Sequence, residues 1–142
     1  MQQAKVVTCF LLRRSGGEDE ILLLRRSQQV GTYRGRWAGV SGYIEGADPL
    51  AQAYAEISEE TGLAREDVQL LRTGEPLAVV DVEAERRWLV HPFLFEVREP
   101  ARIRTDWEHI EARWIRPKDI FRYETVPQLA EALMRAYPLP RP

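Results

Sequence analysis

The sequence predicts an α+β fold: a mixed β-sheet packed between helices in a layered arrangement. Three observations predict it. Apolar, β-branched runs occur early and late in the chain. One segment, Asp48 to Gly62, carries helix punctuation at both ends. The elements follow one another as β-β-β-α-β-β-β-α, an order that lays helices on a sheet. At 142 residues the chain fits one domain, 1–142, with room for a sizeable core.

Each element has its own signal. Residues 4–14 form an apolar run that includes Val6, Val7 and Cys9. Ser15-Gly16-Gly17-Glu18-Asp19 is a turn, and residues 20–26 complete a hairpin. Residues 27–36 are polar and contain glycine, hence a loop. Trp37–Ile44 is strand-like, interrupted by Gly39 and Gly42. Asp48 suits a helix N-cap, Pro49 the first turn and Gly62 the residue past the end. Leu50, Ala53, Tyr54 and Ile57 then share one face. Residues 68–82 and 87–98 read as strands around a turn at Glu83-Ala84-Glu85, with Pro92 suggesting an edge or a bulge. Residues 110–116 form a short strand. Thr125 is placed to cap a last helix running to about Tyr137, and 138–142 reads as a frayed, Pro-rich tail.

Composition excludes several classes. Hydrophobic residues make up 44% of the chain and charged residues 30%, which argues against disorder. Net charge is −2, so a coat for nucleic acid, normally basic, is not expected. The single cysteine, Cys9, rules out an internal disulfide and reads as a small core residue. No apolar run reaches the roughly 18–20 residues that span a bilayer, and no signal peptide is evident. The expected location is cytoplasmic.

The near-neutral total hides a local pattern. Residues 41–62 contain Glu45, Asp48, Glu56, Glu59 and Glu60 and no Lys or Arg. Residues 21–40 contain Arg25, Arg26, Arg34 and Arg36 and no acid. Glu56 lies three residues before Glu59 and four before Glu60, so all three share a helix surface, at a cost of a few tenths of a kcal/mol per pair. The last two also sit in the final turn, where the helix dipole disfavours anions. Two readings follow. The face is solvated, or it holds a divalent cation such as Mg²⁺, which prefers oxygen ligands. Metal and arginines together would suit a pyrophosphate.

Gly42 to Leu63 (Gly-Tyr-Ile-Glu-Gly-Ala-Asp-Pro-Leu-Ala-Gln-Ala-Tyr-Ala-Glu-Ile-Ser-Glu-Glu-Thr-Gly-Leu) resembles the Nudix box, the signature of the MutT-like Nudix hydrolases. The likeness extends over essentially the whole chain, including Trp37 and the segment Arg113-Trp114-Ile115. It implies an α/β/α sandwich and cleavage of a nucleoside diphosphate linked to another moiety. Glu56, Glu59 and Glu60 would then be ligands of Mg²⁺, with Mn²⁺ as a substitute. The backbone carbonyl of Ser41 or Gly42 would join them. Glu108 matches a further acidic ligand or general base, with Glu111 as the alternative; Glu59 and Glu60 are the other candidate catalytic groups.

Arg25, Arg26 and Arg36 are candidate phosphate contacts, beside the Gly42 backbone. Tyr33, Trp37, Phe95 and Trp107 could stack on a base, and His109 is placed to face the site. The expected partner is a small nucleotide, not a stable nucleic acid or a membrane, and relatives suggest a homodimer. The box departs from the family pattern in three ways. Ala47 and Ala55 replace a Glu and an Arg understood to pair, and the loop is one residue short. An alternative is therefore a non-catalytic module that binds a nucleotide or sugar phosphate.

Overall fold

The computed structural model describes residues 2–138. Of the expected tail, all but Pro138 lies outside the described residues. β1 (Gln2–Ser15) and β2 (Glu18–Arg26) form the expected hairpin, with Leu12 opposite Ile21. Closer to its N-terminus β1 changes partner. There it pairs with β4 (Val40–Tyr43), Thr8 opposite Ser41 and Val7 opposite Gly42. β3 (Trp37–Ala38) stays on β2, opposite Arg25 and Leu24. The single strand expected over Trp37–Ile44 is thus two, broken at Gly39, because the chain crosses there from β2 to β1.

A second expected strand, 68–82, is also two: β5 (Val68–Thr73) and β6 (Leu77–Asp81), separated by Gly74-Glu75-Pro76. Both pair with β7 (Arg86–Val97), which runs parallel to β1 on its other side. Pro92 therefore marks neither an edge strand nor a bulge in β7. It lies inside the sheet, opposite the gap between β5 and β6. The Gly74 N–H donates to the Pro92 carbonyl at 2.9 Å. The N and C=O of a strand residue point the same way, so the N–H that proline lacks falls where the ladder is already interrupted. β8 (His109–Ile115) lines the outer side of β2.

Side chains alternate between the two sheet faces with period two. Phe10, Leu12, Ile21, Leu23, Val90 and Leu94 pack beneath α2 (Leu129–Ala136) and Ile120 of a short 3-10 helix, Pro117–Arg122. Val7, Cys9, Leu11, Leu22, Leu24, Phe93 and Phe95 pack beneath Ala53 and Ile57 of α1 (Pro49–Thr61). The result is a mixed sheet sandwiched between helices, as the element order predicts.

α1 has the expected ends. Asp48 Oδ1 accepts from the Leu50 N–H at 3.0 Å. Gly62 takes the left-handed conformation, φ 75°, and its N–H reaches the Ser58 carbonyl at 2.9 Å. α2 starts three residues later than Thr125 suggests. Pro127 disfavours helix at Val126, and Thr125 instead forms a parallel bridge with Trp37. Among the described residues no helix is long and apolar enough to cross a membrane.

Candidate functional site

The Ala53/Ile57 face of α1 seats that helix on the sheet beside β4. This brings Glu56 against Gly42. A Cβ added to Gly42 would overlap the Glu56 carboxyl group, so only glycine permits this approach. Gln52, one turn before Glu56, ties the same carboxylate to the preceding loop. Its Oε1 accepts from the Glu45 N–H at 3.1 Å, and its Nε2 donates to Glu56 Oε1 at 3.3 Å. Ala47 and Ala55 are exposed. Gln52 therefore braces loop to helix where the family pattern has a charged pair.

The three glutamates of α1 occupy different environments. Glu59 is exposed, Glu56 is half-buried and Glu60 is only 3% exposed. The helical spacing alone suggested one shared acidic face. The packing puts Glu60 beside the apolar face instead, behind Glu56. Glu60 Oε1 lies 3.6 Å from Nε2 of the buried His109, whose Nδ1 is 3.0 Å from Asp106 Oδ1. Glu60 Oε2 has no hydrogen-bond partner. Burial, followed by the charges of Glu56 and Glu108, pushes the Glu60 carboxyl up to about 10. Burial and the Glu59 charge raise Glu56 as well. Among the described residues, no Lys or Arg forms an ion pair with Glu56, Glu59, Glu60 or Glu108.

Glu108 reaches this cluster from the residue before β8. Its carbonyl accepts from the Ser27 N–H at 2.7 Å, and its N–H donates to Asp106 Oδ1 at 3.2 Å. A buried, unpartnered carboxylate oxygen among further carboxylates has the chemistry of a hard-cation site. No three His, Cys, Asp or Glu side chains among the described residues are already gathered into a metal cage.

Glu56, Glu59, Glu108 and Glu45 line one end of a cleft of about 340 Å³. Thr8, Ser41 and Gly42 contribute to its wall, and Arg26 and Tyr33 line it from the loop after β2. The other end is apolar, formed by Val6, Val79, Trp88, Val90, Leu129 and Ala132. Of the three candidate arginines, only Arg26 lines this cleft, its Nε donating to the Thr32 carbonyl at 2.9 Å. Arg25 is turned to the Gly35 carbonyl (2.9 Å) and to Glu111 (3.7 Å). Arg36 is turned to the Thr125 carbonyl (3.4 Å) and to Glu124 (3.6 Å). Both hold loops.

Trp37 and Phe95 are buried in the two cores, whereas Trp107 is exposed and outside the cleft lining. Gln52 and Gln128 escaped the reading of the sequence. The i, i+4 spacing of Gln52 and Glu56 was the signal for the first; nothing local marks the second.

A family model described as the NUDIX domain matches residues 2–136. No curated protein sequence matches the chain. Solved structures share its fold. An Ap4A hydrolase from C. elegans, solved as a binary complex, superposes with a TM-score of 0.78 at 20% identity, covering 93% of each chain. The MutT protein from Methanosarcina mazei Go1 gives 0.75 at 24% identity, covering 94% of this chain and 91% of the other. The NUDIX domain of Shewanella oneidensis NrtR, in complex with ADP ribose, gives 0.73 at 13% identity, covering 95% and 86%. With the box residues clustered at one cleft and the family match spanning nearly every residue, this chain belongs to the NUDIX domain family.

Proposed function

We propose that the chain hydrolyses a diphosphate joining a nucleoside to another moiety, and that Glu56, Glu59 and Glu60 hold Mg²⁺, with Mn²⁺ as a substitute. The observation that carries this reading is Glu60: a buried carboxyl with one oxygen unpartnered, facing further carboxylates that form no ion pair with a Lys or Arg among the described residues. A structural acid would have a donor, because an unsatisfied buried acceptor costs about 1–3 kcal/mol. When bound, the cation supplies charge neutralisation at the phosphoryl oxygens and acidifies a water.

The chain's own residues do the rest. Gln52 orients Glu56. The bare backbone at Gly42 leaves room for that carboxylate. Arg26 contacts a phosphate at the cleft wall, as a charge-assisted donor. Glu108, which lines the cleft, takes the proton of the attacking water. His109 and Asp106 fix the far side of Glu60.

The test is phosphate or nucleotide release from dinucleotides, nucleotide sugars and nucleoside triphosphates, with and without Mg²⁺. Metal-dependent turnover that falls at least about 100-fold in Glu56→Gln and Glu60→Gln supports the reading. No metal-dependent turnover, or full activity in both variants, overturns it.

A second reading, a module that binds a nucleotide without cleaving it, is favoured by Ala47 and Ala55. Calorimetry followed by recovery of the ligand separates the two. An intact ligand after saturating binding with Mg²⁺ present supports the module.

A further inference from the structure

β8 ends the sheet on the side of β2. Among the described residues it pairs with β2 alone, and the backbone of residues 110–115 makes no hydrogen bond outside that ladder. Its outer row of N–H and C=O groups is therefore open to another strand. Exposed edges in natural sheets are commonly blunted by Lys or Pro, and β8 has neither. Its one irregularity lies at the start, where the register against β2 shifts and leaves Ile110 without a partner. Two large apolar side chains stand exposed at that end, Ile110 at 58% and Trp107, just before the strand, at 64%.

The side chains of β8 sort by face. Trp114 packs on the α1 side of the sheet, and the exposed Ala112 shares that side by strand alternation. Arg113 lies on the α2 side, its guanidinium 5.1 Å from the Trp37 ring and 5.8 Å from the Tyr123 ring. Glu111 shares that side, and Arg113 Nη2 reaches Glu111 Oε2 at 2.7 Å. Outward from Ala112 the strand is self-complementary: Glu111 matches Arg113 in charge, and Ile110 matches Trp114 as an apolar pair.

We infer that β8 is the surface on which a second copy of this chain docks, the two strands pairing antiparallel about a two-fold axis at Ala112. Such an axis stands perpendicular to the sheet and keeps like faces together. It sets Glu111 opposite the partner's Arg113 twice over, and Ile110 opposite the partner's Trp114. Opposite charges and aromatic–β-branched neighbours are favourable pairs across strands. Moving the axis one residue either way sets Glu111 against the partner's Glu111, or Arg113 against the partner's Arg113. Like charges directly opposite are destabilising, so the charge pattern selects the Ala112 register. The contact is short and the bulge at Ile110 ends it, so the association is weak and depends on concentration. Nothing in this pairing depends on the diphosphate reading.

Sedimentation velocity of the full chain, from about 1 to about 100 μM, tests the pairing. The wild type is expected to shift toward twice the chain mass as concentration rises. Ala112→Lys, at an exposed position, brings two cations to the axis. It is expected to weaken association at least about tenfold at an unchanged melting temperature. Arg113→Glu and Glu111→Arg each set like charges opposite and are expected to stay monomeric alone. Mixed, they are expected to form a heterodimer, because each strand then meets its complement. That rescue reads pairing between chains, since neither variant restores the Glu111–Arg113 pair within one strand. A wild type that stays monomeric at about 100 μM overturns the inference. So does a dimer that persists in Ala112→Lys, which puts the interface elsewhere, or the absence of rescue on mixing two folded variants. If circular dichroism shows that a charge variant does not fold, the wild type and Ala112→Lys decide between the same outcomes.

Discussion

Gln52 Nε2 donates to Glu56 Oε1 at 3.3 Å while Gln52 Oε1 holds the Glu45 N–H at 3.1 Å. One neutral side chain thus ties the glycine loop to the helix and aims Glu56 into the cleft. Gln52→Ala is expected to cost only about 0.5–1.5 kcal/mol of stability, because the bonds are partly exposed. Its larger effect falls on cation affinity, expected to drop severalfold. Thermal unfolding at increasing Mg²⁺ concentration measures both; Gln52→Glu, which cannot donate to Glu56, should not restore the affinity.

Gly42→Ala is expected to act on Glu56 more than on the fold. The new methyl group overlaps the Glu56 carboxyl group, the free end of a flexible side chain, so the carboxylate turns aside. The stability cost is expected to stay below about 1 kcal/mol, and the loss to fall on cation affinity. Denaturant unfolding gives the stability. Retention of both stability and metal-dependent activity would show that Glu56 does not need this position.

Glu60→Gln is expected to separate stability from function. Pushed up to about 10, the metal-free Glu60 carboxyl keeps its proton at neutral pH, and the Gln amide is its neutral isostere. The metal-free variant should therefore match the wild type in stability to within about 1 kcal/mol. It should lose the stabilisation that Mg²⁺ gives the wild type through binding the folded state. Paired melting curves with and without Mg²⁺ decide this.

Tyr33 carries a pH signature. Burial, then its hydrogen bond to Asp81, pushes its phenol up to about 12. Its folded-state value is raised, so the contribution to stability is whole below the unfolded value of about 10 and fades as pH rises toward about 12. Asp81 is the mirror case. The Tyr33 hydroxyl holds its carboxyl below the usual range, so its contribution is lost as pH falls through that lowered value. In a phenolate absorbance titration, Tyr33 and Tyr137, also raised by burial and by its bond to Asp19, should ionise above the ordinary tyrosine range. Asp81→Ala should move Tyr33, and not Tyr137, back toward its ordinary value.

The parts legible from sequence are those with local causes. α1 was readable because Asp48, Pro49 and Gly62 act within a few residues of the helix they punctuate. The hairpin of β1 and β2 and the i, i+3, i+4 glutamates are local in the same sense. The start of α2 was misread because Thr125 is a good cap by type, while Pro127 and the bridge to Trp37 decide otherwise. Long-range packing accounts for the remaining differences. Nothing near Glu60 in sequence says that it is buried against His109, because an acid at that helical position is ordinarily solvated. Arg25 and Arg36 looked available for phosphate because their partners, Glu111, Glu124 and the Thr125 carbonyl, lie far along the chain.

The central claim is that Glu56, Glu59 and Glu60 form a divalent-cation site. Calorimetric titration of the metal-free protein with Mn²⁺ tests it most directly, on the wild type and on Glu60→Gln. The account predicts saturable binding by the wild type and at least about a tenfold loss of affinity in the variant, as expected when a ligand is removed. Equal affinity in the two proteins, or no binding to the wild type, would contradict it.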